Sequence, residues 1–81
     1  MLVSPTIFRA GPYRFYFFSR EEPRLHVHVQ SPAGEVKFWL DPAIEVAKNH
    51  QLSDRDLQRI RELILEHADE IRDAWRRHFG S

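Results

Sequence analysis

The chain has 81 residues, with twelve basic and twelve acidic side chains, 42% hydrophobic and 30% charged. Such a length and balance fit one small globular domain rather than a disordered segment or a membrane span. Charge is even along its length: residues 1–50 carry six basic and five acidic groups, and residues 51–81 carry six and seven, so no basic block advertises nucleic acid. Cysteine is absent, which excludes disulfides, thiolate metal sites and a cysteine nucleophile. With no signal-peptide pattern at the N-terminus, the expectation is a cytoplasmic protein, complete in itself as a single domain over 1–81, with no membrane contact.

The runs TIFRA and YRFYFFS, separated by Gly11-Pro12, predict a hairpin. In the second run Tyr13, Phe15 and Phe17 point one way and Arg14, Tyr16 and Phe18 the other, as in a strand covered at least partly on both faces. REEPR turns the chain. LHVHVQ, SPAG and EVKFWL then make a second hairpin, and LDP ends it. AIEVAK is read as a further strand with Ile44 and Val46 inward; a helical turn capped by Asp41, with Pro42 in its first position, is the alternative.

From Ser53 the period changes. Leu57, Ile60, Leu63, Ile64, His67, Ile71 and Trp75 recur at spacings of three and four, which predicts an amphipathic helix over about 53–79 with Ser53 as its N-cap. Asp54 and Asp56 in the first turn and Arg76 and Arg77 in the last suit the helix dipole. No glycine or proline interrupts it, so one continuous helix is expected. Its length of roughly 40 Å exceeds the width of so small a domain, which makes a bend near 67–69 or an overhang the alternatives. The expected fold class is α+β: an antiparallel sheet of four to five strands, within residues 6–47, packed with this helix.

If Ser31–Gly34 form the second hairpin's loop, Gln30 opposes Glu35, Val29 Val36, His28 Lys37, Val27 Phe38 and His26 Trp39. One face is then wholly apolar (Leu25, Val27, Val29, Val36, Phe38, Leu40), and the other displays His26, His28, Gln30, Glu35, Lys37 and Trp39. A one-residue slip would spoil both faces at once. The second face is the candidate site. His26 or His28 could move protons, Lys37 could stabilise a phosphate charge, and Trp39 could stack on a base, with Gln30 and Glu35 as binding groups. Two histidines at i and i+2 can also share a metal, with Glu21, Glu22 or His50 as conceivable further ligands. Only two ligands have sensible spacing, so no metal or cofactor is expected. The plainer reading makes both histidines partly exposed filler under Trp39. His67 on the helix stripe is read as a core-edge residue, and Trp75 and Phe79 as closing the core.

The segments PTIFR, EEPRLHVHV, KFWLDP and AWRRHFG, in this order, resemble the small bacterial domain-of-unknown-function family 4160, whose members carry Pro-Pro-His-Val-His-Val followed by Lys-Phe-Trp-Leu. The likeness spans nearly the whole chain. Here Arg24 and Leu25 stand between Pro23 and the first histidine, and Gln51 stands where a glycine is common before the helix. The resemblance implies an antiparallel sheet with a C-terminal helix. It also implies a toxin–antitoxin-like setting, with a second small protein encoded beside this one. Two functions follow as expectations. One is a protein–protein interaction component of such a pair, with a homodimer also open. The other is a small ribonuclease-type toxin acting on RNA through His26, His28 and Lys37.

Overall fold

A computed structural model describes residues 6–18 and 23–80. Five strands form one sheet in the order β1-β2-β3-β4-β5, every neighbour antiparallel: β1 (Thr6–Ala10), β2 (Tyr13–Tyr16), β3 (His26–Ser31), β4 (Gly34–Trp39) and β5 (Glu45–His50). Helices α1 (Asp54–Glu66) and α2 (Ala68–Phe79) follow. The β1–β2 turn falls at Gly11-Pro12, with Gly11 at φ 58°, where a side chain would be strained.

The β3–β4 register is the expected one at every pair, from His26↔Trp39 to Gln30↔Glu35, with Ser31↔Gly34 closing on Pro32 and Ala33. Phe15, Val27, Val29, Val36, Phe38 and Leu40 are buried on one face, where Ile60, Leu63 and Ile64 of α1 and Ile71 and Trp75 of α2 join them. Each such side chain taken from water contributes about 1.5–3 kcal/mol, and the core is continuous across both helices. Trp75 and Phe79 close it over Phe17, with ring centroids 5.3 and 5.8 Å away.

Two expectations about the second half are corrected. The helix is not continuous: it divides at His67 (φ −110°, ψ 18°), which is the C-cap of α1 and the N-cap of α2. The His67 N–H donates to the Leu63 carbonyl and the His67 carbonyl accepts from Ile71 N–H, so both helices keep their terminal bonds across the joint. The ring of His67 stacks on Phe8 of β1 at 4.0 Å, and Phe8 stacks on Phe15 at 4.2 Å. Packing against the sheet therefore fixes the joint without glycine or proline. The described chain measures 33 × 30 × 20 Å, and two helices meet that size where one of about 40 Å would overhang.

The second correction is β5, which starts at Glu45 and runs on to His50, beyond the expected limit at 47. Its pairing shifts between Lys37↔Lys48 and Phe38↔Val46, leaving Ala47 as the extra residue of a bulge. Val46 lies on the edge and is 40% exposed. The alternation of this segment is broken by the bulge, so its pattern misstates its length. Gly34 sits where a Cβ would come within 2.1 Å of the His50 carbonyl oxygen, so only glycine lets β4 and β5 close at this end.

Gln51 follows at φ 70°, in the left-handed region that favours glycine. Asn49 braces the turn by accepting from Leu52 N–H and donating to the Leu52 carbonyl. Ser53 then caps α1 in a box with Asp56. Asp56 also accepts from the Tyr13 hydroxyl at 2.7 Å. Those hydrogen bonds, Tyr13 first and then Ser53, hold the Asp56 carboxyl below its ordinary value, and the bond to Asp56, followed by burial, raises the Tyr13 phenol. At the other end of the helical layer Arg72 grips Asp41 with two hydrogen bonds, at 3.0 and 3.3 Å, raising its own pKa. Among the described residues no helix is long and apolar enough to cross a membrane.

Candidate functional site

Both helices supply apolar residues to the inner face, so the other face of the sheet is shaped mainly by strand and loop side chains, with Trp75 of α2 meeting it at His26. Its rungs are read directly from the register. One rung runs Tyr16–His28–Lys37–Lys48 across β2 to β5; the next runs Arg14–Gln30–Glu35–His50; His26–Trp39–Glu45 lie on the other side of the first. All six residues expected at the site are therefore brought to one face, but they do not form one cluster.

His28, Lys37 and Glu35 open onto a depression of about 470 Å³, together with Phe18, Lys48 and His50. The half-buried His28 ring is wedged 4.3 Å from Phe18 and stacks on Tyr16 at 5.4 Å. Glu35 accepts from the Tyr16 hydroxyl at 3.4 Å. Trp39 lies beside this bowl, with the Arg24 guanidinium 4.2 Å and the Lys37 ammonium 4.4 Å from its ring centroid, so cations already occupy its π-surface. Gln30 lies on the far side, where its side-chain oxygen accepts from Arg14, which also donates to Thr6 Oγ1.

His26 departs from expectation. It is 0% exposed, not partly exposed, because its ring packs edge-on between Trp39 at 5.5 Å and Trp75 of α2 at 5.2 Å. Its Nδ1 lies 2.6 Å from the Arg24 carbonyl oxygen. A carbonyl can only accept, so Nδ1 carries the proton and the ring is locked in orientation. A ligand in solution meets His28, 5.2 Å from His26 between ring centroids, and not His26 itself.

Of the metal ligands considered, Glu21 and Glu22 lie outside the described residues, and His50 lines the bowl with His28. Among the described residues no three His, Asp or Glu side chains gather around a common point.

Lys48 and Phe18 are site residues that sequence reasoning passed over, and His50, weighed there as a conceivable metal ligand, lines the bowl with them. Lys48 and His50 were obscured by the bulge at Ala47, since their places opposite Lys37 and Glu35 depend on it. Phe18 could have been found, as it shares the parity of Tyr16 beyond the end of β2.

The sequence profile of a family described as a domain of unknown function, DUF4160, matches residues 13–76. The chain belongs to this family. The DUF4160 match takes in β2 to β5, α1 and most of α2, and so every residue of the bowl. No curated protein and no solved structure matches the chain.

Proposed function

We propose that this DUF4160 protein is a cytoplasmic binding component of a two-protein, toxin–antitoxin-like pair. It takes the small protein encoded beside it onto the helix-free face of its sheet. The observation that carries this reading is the one-sided placement of α1 and α2. It leaves a five-stranded face whose large side chains are already held in place by one another. Ordering side chains on binding costs about 0.5–1.5 kcal/mol each, and Trp39 under Arg24 and Lys37 has that cost met in advance. A half-buried tryptophan flanked by cations is a suitable energetic anchor for a partner with acidic groups.

Coexpression of the two proteins followed by copurification tests this. A stable complex is expected, weakened at least tenfold by Trp39→Ala with the fold intact by circular dichroism. Absence of a complex, or a Trp39→Ala protein that binds its partner as the wild type does, would overturn the reading.

A further inference from the structure

We infer that two copies of this chain join edge to edge through β5, about a two-fold axis at the bulge of Ala47, making one continuous sheet of the two. This goes beyond the proposed protein partner, which is assigned to the face of the sheet and not to its edge.

Three observations carry it. First, β5 ends the sheet, with β4 on one side and, among the described residues, no strand on the other. Every residue of β5 except Ala47 is exposed. An edge strand presents backbone N–H and C=O groups to an added strand, and main-chain hydrogen bonds then supply affinity.

Second, β5 carries one carboxylate, Glu45, and one ammonium group, Lys48, and the bulge puts both on one face. In a regular strand residues three apart point to opposite faces. Glu45 opposes Trp39 and Lys48 opposes Lys37, two positions apart on β4, so the extra residue brings both to the outer side. Among the described residues neither has an ion-pair partner within the chain. A two-fold contact places residue i against j and j against i. With the axis at the bulge, antiparallel pairing sets Glu45 of each copy opposite Lys48 of the other, whereas a register centred on either residue would set like charges face to face. A lysine and a bulge commonly keep an edge from pairing; here Glu45 of a second copy supplies that lysine with its counter-charge. At the other edge of the sheet Arg9 is the only charged residue of β1, so two copies would meet there without an opposite charge.

Third, apolar side chains left in water flank the same edge. Of the exposed large hydrophobic residues, Phe18, Val46 and Leu65, two lie beside β5. Val46 opposes Phe38 and so belongs to the inner side. On that side Arg61 of α1 donates to the Ile44 carbonyl just before β5, and Leu65, 62% exposed, follows it one turn later on the same flank of the helix. A second copy would cover Val46 and Leu65 beneath the ion pairs. A chain of zero net charge meets its copy without long-range repulsion.

The test is sedimentation velocity of the full-length chain from about 10 µM to about 1 mM, since an edge contact is small and weak. A monomer–dimer equilibrium is expected. Lys48→Glu and Glu45→Lys each oppose like charges at both pairs, and each should raise the dissociation constant about tenfold or more. Combining them restores opposite pairs with the signs exchanged, and the double variant should return to within about threefold of the wild type. Leu65→Ser, which leaves the strand untouched, should also weaken the dimer, and it decides the matter should a charge-reversed β5 fail to fold by circular dichroism. Arg59→Ala, on the opposite flank of α1, should leave it unchanged. A chain that stays monomeric throughout, a dimer that neither the charge reversals nor Leu65→Ser weaken, or a double variant as weak as the single ones would overturn the inference.

Discussion

The two faces of the sheet are built from the same strands, alternating residue by residue, yet they are different materials. Phe15, Val27, Val29 and Phe38 on the inner face are completely removed from water and belong to the apolar core that the helices complete. On the outer face the same strands present His28, Lys37, Glu35 and Trp39, held by ring stacking, hydrogen bonds and cation–π contacts. Inner residues act through area removed from water, which is non-directional and large. Outer residues act through oriented charge, which adds little to stability when exposed and much to recognition. The division teaches where a substitution should unfold the protein and where it should only silence it.

The largest effect expected on stability is from Phe38→Ala. It removes a fully buried ring between β4 and the helices and should cost about 3–5 kcal/mol. That is a large part of the stability open to a domain of this size, and thermal melting should show most of the protein unfolded or the midpoint sharply lowered. Lys48→Ala, two strand positions away on the other face, should stay within about 0.5 kcal/mol of the wild type.

The histidine pair sharpens the comparison, because it straddles the boundary. His26 belongs to the outer face by register but to the core by burial, and His26→Ala would leave the Arg24 carbonyl without its ring donor. A cost of about 1–3 kcal/mol is expected. His28→Ala loses ring contacts with Tyr16 and Phe18, worth roughly 0.5–1.5 kcal/mol. Denaturant unfolding of the two single variants checks the order; equal costs would mean that His26 is as dispensable as a surface residue.

The smallest effect concerns the polar link between the inner face and α1. Asp56 titrates lower in the folded chain than in the unfolded one because Tyr13 and Ser53 donate to it. Its contribution is therefore present above the ordinary carboxylate value, about 3.9, and is lost as pH falls through the lower folded one. Melting temperatures of Asp56→Asn should lie slightly below the wild type near neutrality and converge with it in acid. A constant gap at every pH would show that the carboxylate charge is irrelevant.

How much of this was legible beforehand follows the same division. Strict alternation through LHVHVQ and EVKFWL specified the hairpin to the residue, since any slip would have put valines in water. Ser53 and Asp56 were readable as a helix start because capping is local chemistry. A bend near 67–69 was open from the helix length, though the continuous helix was preferred because the stacking of His67 on Phe8 of the first strand is not written locally. Concealed outright, because they depend on distant packing, are the bulge at Ala47, which carries Lys48 and His50 into the bowl, and the burial of His26 against Trp75 of the last helix.

The claim that the helix-free face is the working face is tested most directly by mapping amide chemical-shift changes as the proposed partner protein is titrated into the labelled chain. Shifts should concentrate at His28, Lys37, Trp39, Lys48 and His50, with Ile60, Leu63 and Ile71 unmoved. Shifts concentrated along α1 and α2, with the outer strand positions silent, would contradict it.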